Sequence, residues 1–229
     1  MNLTVDIGNT RAKWALFDGW KLVAEGVGLP LPEADRTIVC ATGEVSEEMR
    51  HALSAEAIDF ATLAREGRLP VRIDYATPQT LGPDRVAAAC GAWKISGGRP
   101  CVVVDAGTCI TIDYLDATGT YHGGAILPGI SMKFRALHTF TAKLPLLEMK
   151  SEEEEKEVPV TGRTTEESMR AGVVAATRFA VEGFVRHYRE REPETEVIVT
   201  GGDAGRIAVG GSRVEPLLVM IGMNVGIEN

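Results

Sequence analysis

Metal-site spacing is missing from this sequence. No two of its four cysteines, Cys40, Cys90, Cys101 and Cys109, form a C-x-x-C pair, and its four histidines, His51, His122, His138 and His187, are scattered along the chain. A tetrahedral zinc site is therefore not expected. Cys40, Cys90 and Cys101 stand among apolar neighbours and read as small core residues in a reducing compartment. Basic charge is also scarce: 24 Lys and Arg face 32 Asp and Glu, a formal net charge of −8. Affinity for a nucleic-acid backbone rests on Lys and Arg neutralising phosphates, so such a partner is not expected. A single nucleotide in a locally prepared cleft is compatible with this charge. No apolar run reaches the length of a membrane span, and no basic leader precedes an apolar stretch. A cytoplasmic chain with no membrane contact is the expectation.

What is present is an ordinary globular composition. The 229 residues are 45% hydrophobic and 24% charged, enough for one large domain or two small ones sharing a cleft. The pattern opens as a strand meander. Leu3 and Val5 lead into a turn at Gly8-Asn9-Thr10, Ala12 to Phe17 follow with strand character, and Asp18-Gly19 signals a hairpin before a third strand to Val27. Thr37 to Ala41 reads as a buried strand. Residues 46 to 65 have apolar positions at helical spacing (Met49, Leu53, Ile58, Phe60, Leu63) and predict one helix. Asp84 to Ile95 predicts another. Gly97-Gly98-Arg99-Pro100 breaks the chain, and the domain boundary is placed there. The opening pattern then returns: Val102 to Val104, the turn Asp105-Ala106-Gly107-Thr108, a strand through Ile110 to Leu115, and a third from Tyr121. Pro128-Gly129 opens a helix expected to reach Ala142. The acidic run Glu152 to Glu157 reads as a solvated loop or helix start. Thr165 to Arg189 predicts a long amphipathic helix capped by Thr164 or Thr165. A strand at Val197 to Thr200 ends in Gly201-Gly202-Asp203, and Leu217 to Asn229 closes the chain.

A strand followed by an Asp-Gly-Thr turn thus occurs twice, at Asp6 and at Asp105, which points to a duplication. Such a turn presents a carboxylate and successive backbone N–H groups to one point. Gly8 and Gly107 let backbone approach a phosphate, Thr10 and Thr108 add hydroxyls, Asn9 an amide and Lys13 a cation. The carboxylates suit a bound cation better than a phosphate. One such turn can equally be a plain hairpin; the repeat is what favours a nucleotide site. Between the two turns lies Tyr75-Ala76-Thr77-Pro78-Gln79-Thr80-Leu81-Gly82-Pro83-Asp84-Arg85. Asp84 at a helix start serves either as a cap or as a general base, and Arg85 beside it suits an anion. Gly123-Gly124 with Pro128-Gly129 either frames a pocket wall or is a simple strand-to-helix turn.

Taken together, Asp6-Ile7-Gly8-Asn9-Thr10 with Lys13, Tyr75 with Pro78, Leu81-Gly82-Pro83-Asp84-Arg85, Asp105-Ala106-Gly107-Thr108, Gly123-Gly124 with Pro128-Gly129, Thr165 with Gly172, Thr200-Gly201-Gly202 and Gly222-Met223-Asn224 resemble the type III pantothenate kinases of the acetate and sugar kinase/Hsp70/actin superfamily. The resemblance spans nearly the whole chain, with Cys109 in a position where the family usually has Ala. It implies an α/β fold of two ribonuclease-H-like, actin-like ATPase halves related by duplication and facing a cleft, here residues 1–98 and 99–229. It implies ATP-dependent phosphorylation of pantothenate, with Mg²⁺ and a monovalent cation, K⁺ or NH₄⁺, in a homodimer. It further implies that Asp6, Ile7, Gly8, Asn9, Thr10, Arg11, Ala12 and Lys13, with Thr108, hold ATP, and that Asp84 is the base. Tyr75, Gly82, Pro83, Asp84, Arg85 and Thr165 would contact pantothenate, and Asp105 the monovalent cation. Two other readings stay open on the residues alone: another small-molecule kinase of the superfamily, or a non-catalytic nucleotide-binding regulator.

Overall fold

The structure is a computed structural model that describes residues 1–53 and 55–228. The opening meander forms as the alternation predicts: β1 (Asn2–Ile7), β2 (Ala12–Asp18) and β3 (Lys21–Val27). Gly19 takes the left-handed φ, +56°, that the hairpin requires. β4 (Arg36–Ala41) lies parallel to β1.

The single helix expected over 46–65 is instead three elements: α1 (Glu47–Ala52), β5 (Ile58–Asp59) and α2 (Phe60–Arg65). Leu53 leaves helical space with ψ 138°. Ile58 pairs with Ile38 of β4, and Asp59 caps α2 by accepting from the N–H groups of Ala61 and Thr62. The apolar positions fit a helix, but sheet pairing and the cap override them. Ser54, within that expected helix, lies outside the described residues.

A two-residue β6 (Arg72–Ile73), invisible to periodicity, precedes α3 (Pro83–Ser96), which ends on a left-handed Gly97. The second meander follows as β7 (Cys101–Ala106), β8 (Cys109–Leu115) and β9 (Thr120–Pro128). α4 (Ile130–Thr139) stops three residues short of Ala142. After α5 (Glu152–Lys156), the long helix predicted from Thr165 forms as α6 (Thr165–Arg170), a π-helical turn (Ala171–Ala175) and α7 (Ala176–Arg189). Thr164 is its cap, accepting from the Glu167 N–H. The chain closes with β10 (Glu196–Thr200), α8 (Ala204–Ile207), β11 (Ser212–Val214) and α9 (Leu218–Glu228). Asn229, last residue of the expected terminal segment, lies outside the described residues.

The strands form two mixed sheets, ordered β3-β2-β1-β4-β5 and β11-β10-β7-β8-β9-β6. The second contains the first's order again: β9-β8-β7-β10-β11 repeats third, second, first, fourth, fifth. The repeated Asp turn therefore sits on a repeated topology, with each Asp near the end of the central strand. Among the described residues no helix is long and apolar enough to cross a membrane.

The chain divides into two compact units, one of Met1–Cys101, Asp113–Gly123 and Leu217–Asn229, the other of Val102–Ile112 and Gly124–Pro216. In the first, Leu3, Val5, Ile7, Leu16 and Met49 form a buried cluster. α9 is pinned to β1 by the buried Asn224, which accepts from Asn2 Nδ2 at 2.9 Å. α3 crosses α9 backbone to backbone. A Cβ at Gly222 would overlap the Ala87 carbonyl, and one at Gly91 the Leu218 carbonyl. That approach seats the helix whose first turn carries Asp84 and Arg85.

In the second unit, the acidic run departs from the solvated reading at one residue. Ser151 and Glu154 form a capping box for α5, while Glu155 is fully buried. Its Oε1 accepts from Arg170 Nη1 at 3.3 Å and from the Lys150 N–H at 3.1 Å; its Oε2 accepts from Arg206 Nε at 2.6 Å. Of the five glutamates in the run, Glu152, Glu153, Glu154 and Glu157 lie at the surface, and Glu155 satisfies two buried or half-buried guanidinium groups.

Candidate active site

The first unit gathers Tyr75, Gly82, Pro83, Asp84 and Arg85 at the start of α3. Pro83 opens the helix, where its missing N–H costs nothing. Asp84 is not the cap, which is Gly82; it lies in the first helical turn, where its Oδ1 accepts the Arg85 N–H at 2.9 Å. The carboxyl is nonetheless half-buried, and burial raises its pKa above the ordinary 3.8 against the lowering pull of the Arg85 N–H and guanidinium. A Cβ at Gly82 would meet Asp84 Oδ1 and push that carboxyl aside.

Arg85 turns into the protein. Its Nε donates to Asp113 Oδ2 at 3.2 Å and its Nη2 to Asp113 Oδ1 at 2.6 Å. Tyr121 donates its hydroxyl to the same Oδ1 at 2.7 Å. Burial alone would lower the Arg85 pKa, but the hydrogen bonds and charge of Asp113 outweigh it, with Tyr121 and then Tyr75 acting in the same direction, so the guanidinium stays charged. Burial, then the Asp113 charge, raises the Tyr121 hydroxyl well above its usual range. Tyr75 lies 6.4 Å from Tyr121, centroid to centroid. Gly123 has φ +81°, and a Cβ there would strike the Tyr75 ring. Asp113 and Tyr121 were not singled out from sequence. The available signal was weak: one carboxylate at an alternating position of a strand, Ile110 to Leu115.

The same unit holds the Asp6 turn. Asp6 pairs with Lys13, and Ile7 with Ala12, across β1 and β2. The Gly8 N–H donates to the Arg11 carbonyl at 3.2 Å, while the Thr42 and Gly43 N–H groups donate to the Ile7 carbonyl at 2.9 and 3.0 Å. Asn9, Thr10 and Arg11 are exposed. A Cβ at Gly43 would overlap the Gly8 carbonyl, so Thr42-Gly43 after β4 is part of this turn, which the sequence reading passed over. Cys40 stands opposite Asp6 in the β1–β4 register. Burial first, then the charges of Asp6 and Asp84, push its thiol far up. Both carboxylates therefore bear on one buried thiol.

The second unit holds Asp105, Thr108 and Thr165. The Gly107 N–H donates to the Cys109 carbonyl at 3.0 Å, the Gly129 N–H to the Thr108 carbonyl at 3.1 Å, and the Asp203 N–H to the Ala106 carbonyl at 3.0 Å. A Cβ at Gly201 would overlap the Ala106 carbonyl and Asp105 Oδ1. Gly201-Gly202-Asp203 thus packs on the Asp105 turn as Thr42-Gly43 packs on the Asp6 turn. Thr165 lies in an open groove of about 690 Å³ lined also by Leu137, Leu144, Thr164, Met169 and Gly172. Among the described residues no three His, Cys, Asp or Glu side chains gather as metal ligands. An oxygen-bound cation at Asp105 would draw on backbone carbonyls, and Ala106 presents one beside Asp105 Oδ1.

Solved structures share this architecture. A protein from Campylobacter jejuni described as a conserved Baf family transcriptional activator superposes with a TM-score of 0.68 at 22% identity, covering 99% of this chain and 97% of its own. The activator of the 2-hydroxyisocaproyl-CoA dehydratase from Clostridium difficile gives 0.51 at 15% identity, covering 98% and 92%. At these identities the likeness is one of fold, that of the actin-like ATPases. Sequence relatives are nearer. The type III pantothenate kinase of Phocaeicola vulgatus is 41% identical over 214 residues, covering 89% of this chain and 86% of its own. That of Cytophaga hutchinsonii is 34% identical, covering 98% and 95%. The sequence model of the type III pantothenate kinases matches residues 27–187, a span that includes the Tyr75–Arg85 block, both ends of the Asp113 pairing, and Asp105 through Thr165. On fold, motifs and near full-length identity alike, the chain belongs to the type III pantothenate kinase family.

Proposed function

We propose that this chain transfers the γ-phosphoryl group of ATP to the primary hydroxyl of pantothenate, giving 4′-phosphopantothenate, the first step towards coenzyme A. Family membership and the names of the relatives support the substrate. The chemistry is supported by a half-buried carboxyl, Asp84, whose proton affinity burial has raised, next to the buried cation of Arg85. Phosphoryl transfer needs alignment and charge neutralisation more than covalent chemistry. Asp84 takes the proton of the attacking hydroxyl, and a raised pKa moves this base towards the operating pH. Arg85 receives the pantothenate carboxylate, with Tyr75, Gly82, Pro83 and Thr165 as further contacts.

The turn from Asp6 to Lys13, with Thr108, receives ATP. Gly8 and Gly43 leave room for backbone approach, and Lys13 adds a cation. Mg²⁺, when bound, would neutralise charge on the phosphates, and Asp6 would help to hold it. K⁺ or NH₄⁺ is assigned to Asp105, where the Asp105 and Ala106 oxygens meet at Gly201. The repeated strand order supports two ribonuclease-H-like halves, 1–98 and 99–229. A homodimer acting in the cytoplasm completes the reading.

The test is a coupled assay for ADP release that depends on pantothenate, with K⁺ or NH₄⁺ present or withheld. Asp84→Asn should fold and lose roughly 10²–10⁴-fold in kcat, the usual share of a general base. Near-full activity in that variant would sink the base assignment. No pantothenate-dependent turnover by the wild type would sink the substrate.

A further inference from the structure

Arg85 has five N–H donors in a rigid planar fork. Asp113 accepts from its Nε and Nη2, the side-on edge, at 3.2 and 2.6 Å. That leaves the Nη1 end of the fork turned away from Asp113. The grip is built rather than incidental. Arg85 and Asp113 are both buried, and Tyr121, fully buried, donates to Asp113 Oδ1 at 2.7 Å. A carboxylate oxygen holding both Nη2 and a tyrosine hydroxyl cannot swing without losing two buried hydrogen bonds. Asp113 lies 28 residues from Arg85 on a different element, β8, so the contact is tertiary and specific.

The geometry assigns Asp113, braced by Tyr121, as the positioning residue that fixes which edge of the Arg85 guanidinium is offered to the pantothenate carboxylate. This rests on the reading in which Arg85 receives that carboxylate. The role is one of aim. The Asp113 charge already neutralises Arg85, so the substrate is recognised by directed N–H groups rather than by net positive charge. Fixing a side chain before substrate arrives also removes the entropy cost of ordering it on binding. The carboxylate is remote from the reacting hydroxyl, so losing the aim removes binding that ground state and transition state share.

The experiment uses steady-state kinetics on the full chain, with folding checked by thermal melts. In Asp113→Asn the pantothenate KM should rise at least tenfold, with the ATP KM within about twofold and kcat within about threefold of wild type, the signature of lost uniform binding. Tyr121→Phe, which keeps the ion pair and removes one hydroxyl, should raise the pantothenate KM several-fold; it carries the test if Asp113→Asn does not fold. In an Arg85→Ala background, itself raised in pantothenate KM, Asp113→Asn should add nothing further, because Asp113 acts through Arg85. An unchanged pantothenate KM in folded Asp113→Asn, or equal rises in both KM values, overturns the assignment while Arg85→Ala still shows its effect. If Arg85→Ala also leaves the pantothenate KM unchanged, the reading of Arg85 fails, and the assignment fails with it.

Discussion

Asp84 is asked to be two things that conflict. A base must be ionised near neutral pH, yet burial favours its protonated form. Its folded pKa stands above the ordinary 3.8. Its contribution to stability is thus fully present below the unfolded pKa and is lost as pH rises through the folded pKa. At neutral pH the ionised carboxyl is a cost to folding. Asp84→Asn keeps an oxygen to accept the Arg85 N–H, so it should melt at or above the wild-type temperature at pH 7. The difference should shrink as pH is lowered through the carboxylate range; thermal melts across pH check this. A variant that melts lower at pH 7 than at pH 4, relative to wild type, would contradict it. Sequence reading singled out Asp84 and Arg85 because they sit together at a helix start, and Tyr75 through the family resemblance. It missed Asp113 and Tyr121 because a pairing across 28 residues leaves no local pattern, and a strand with one carboxylate reads as ordinary alternation.

Elements were legible where one signal dominated. The meanders, α3 and the helix from Thr165 each follow from periodicity with a turn or cap at their ends. The segment 46–65 was not, because its apolar spacing satisfies a helix while Asp59 caps a second helix and Ile58 joins a sheet. The crossing of α3 and α9 was equally hidden, since close backbone approach shows in sequence only as glycines. It yields a test at this scale. Gly→Ala in a helix interior normally gains about 1 kcal/mol from propensity. At Gly222 the added Cβ would overlap the Ala87 carbonyl, which is backbone and cannot rotate away. Overpacking of that kind costs about 1–3 kcal/mol or more, so Gly222→Ala should be net destabilising in urea denaturation. A gain in midpoint would show that the helices part without cost.

At the scale of the molecule, a duplication was expected from two short turns and the strands after them, and a repeated strand order is found in the sheets. The sequence hid how each copy is secured. In the second unit that work falls to Glu155, which ties α5 to Arg170 of α6 and Arg206 of α8. Without Glu155, Arg170 keeps Glu166 and Arg206 keeps Asp203, so the loss is that of the charge-assisted hydrogen bonds to Glu155, each worth about 1.5–3 kcal/mol. Glu155→Ala should lose stability of that order in chemical denaturation, whereas Glu153→Ala, on the exposed side of the same run, should lose almost none. Equal losses would return the run to a solvated role. The strand order has a further consequence, for solubility. Three of the four sheet edges end in strands of two or three residues, β5, β6 and β11. The fourth, β3, has seven, with Leu22, Val23 and Val27 exposed. Long, apolar edges invite strand addition by other chains, and short or charged ones resist it. The hazard of self-association into aggregates is therefore concentrated on one strand, where Lys21 and Glu25 are the gatekeepers.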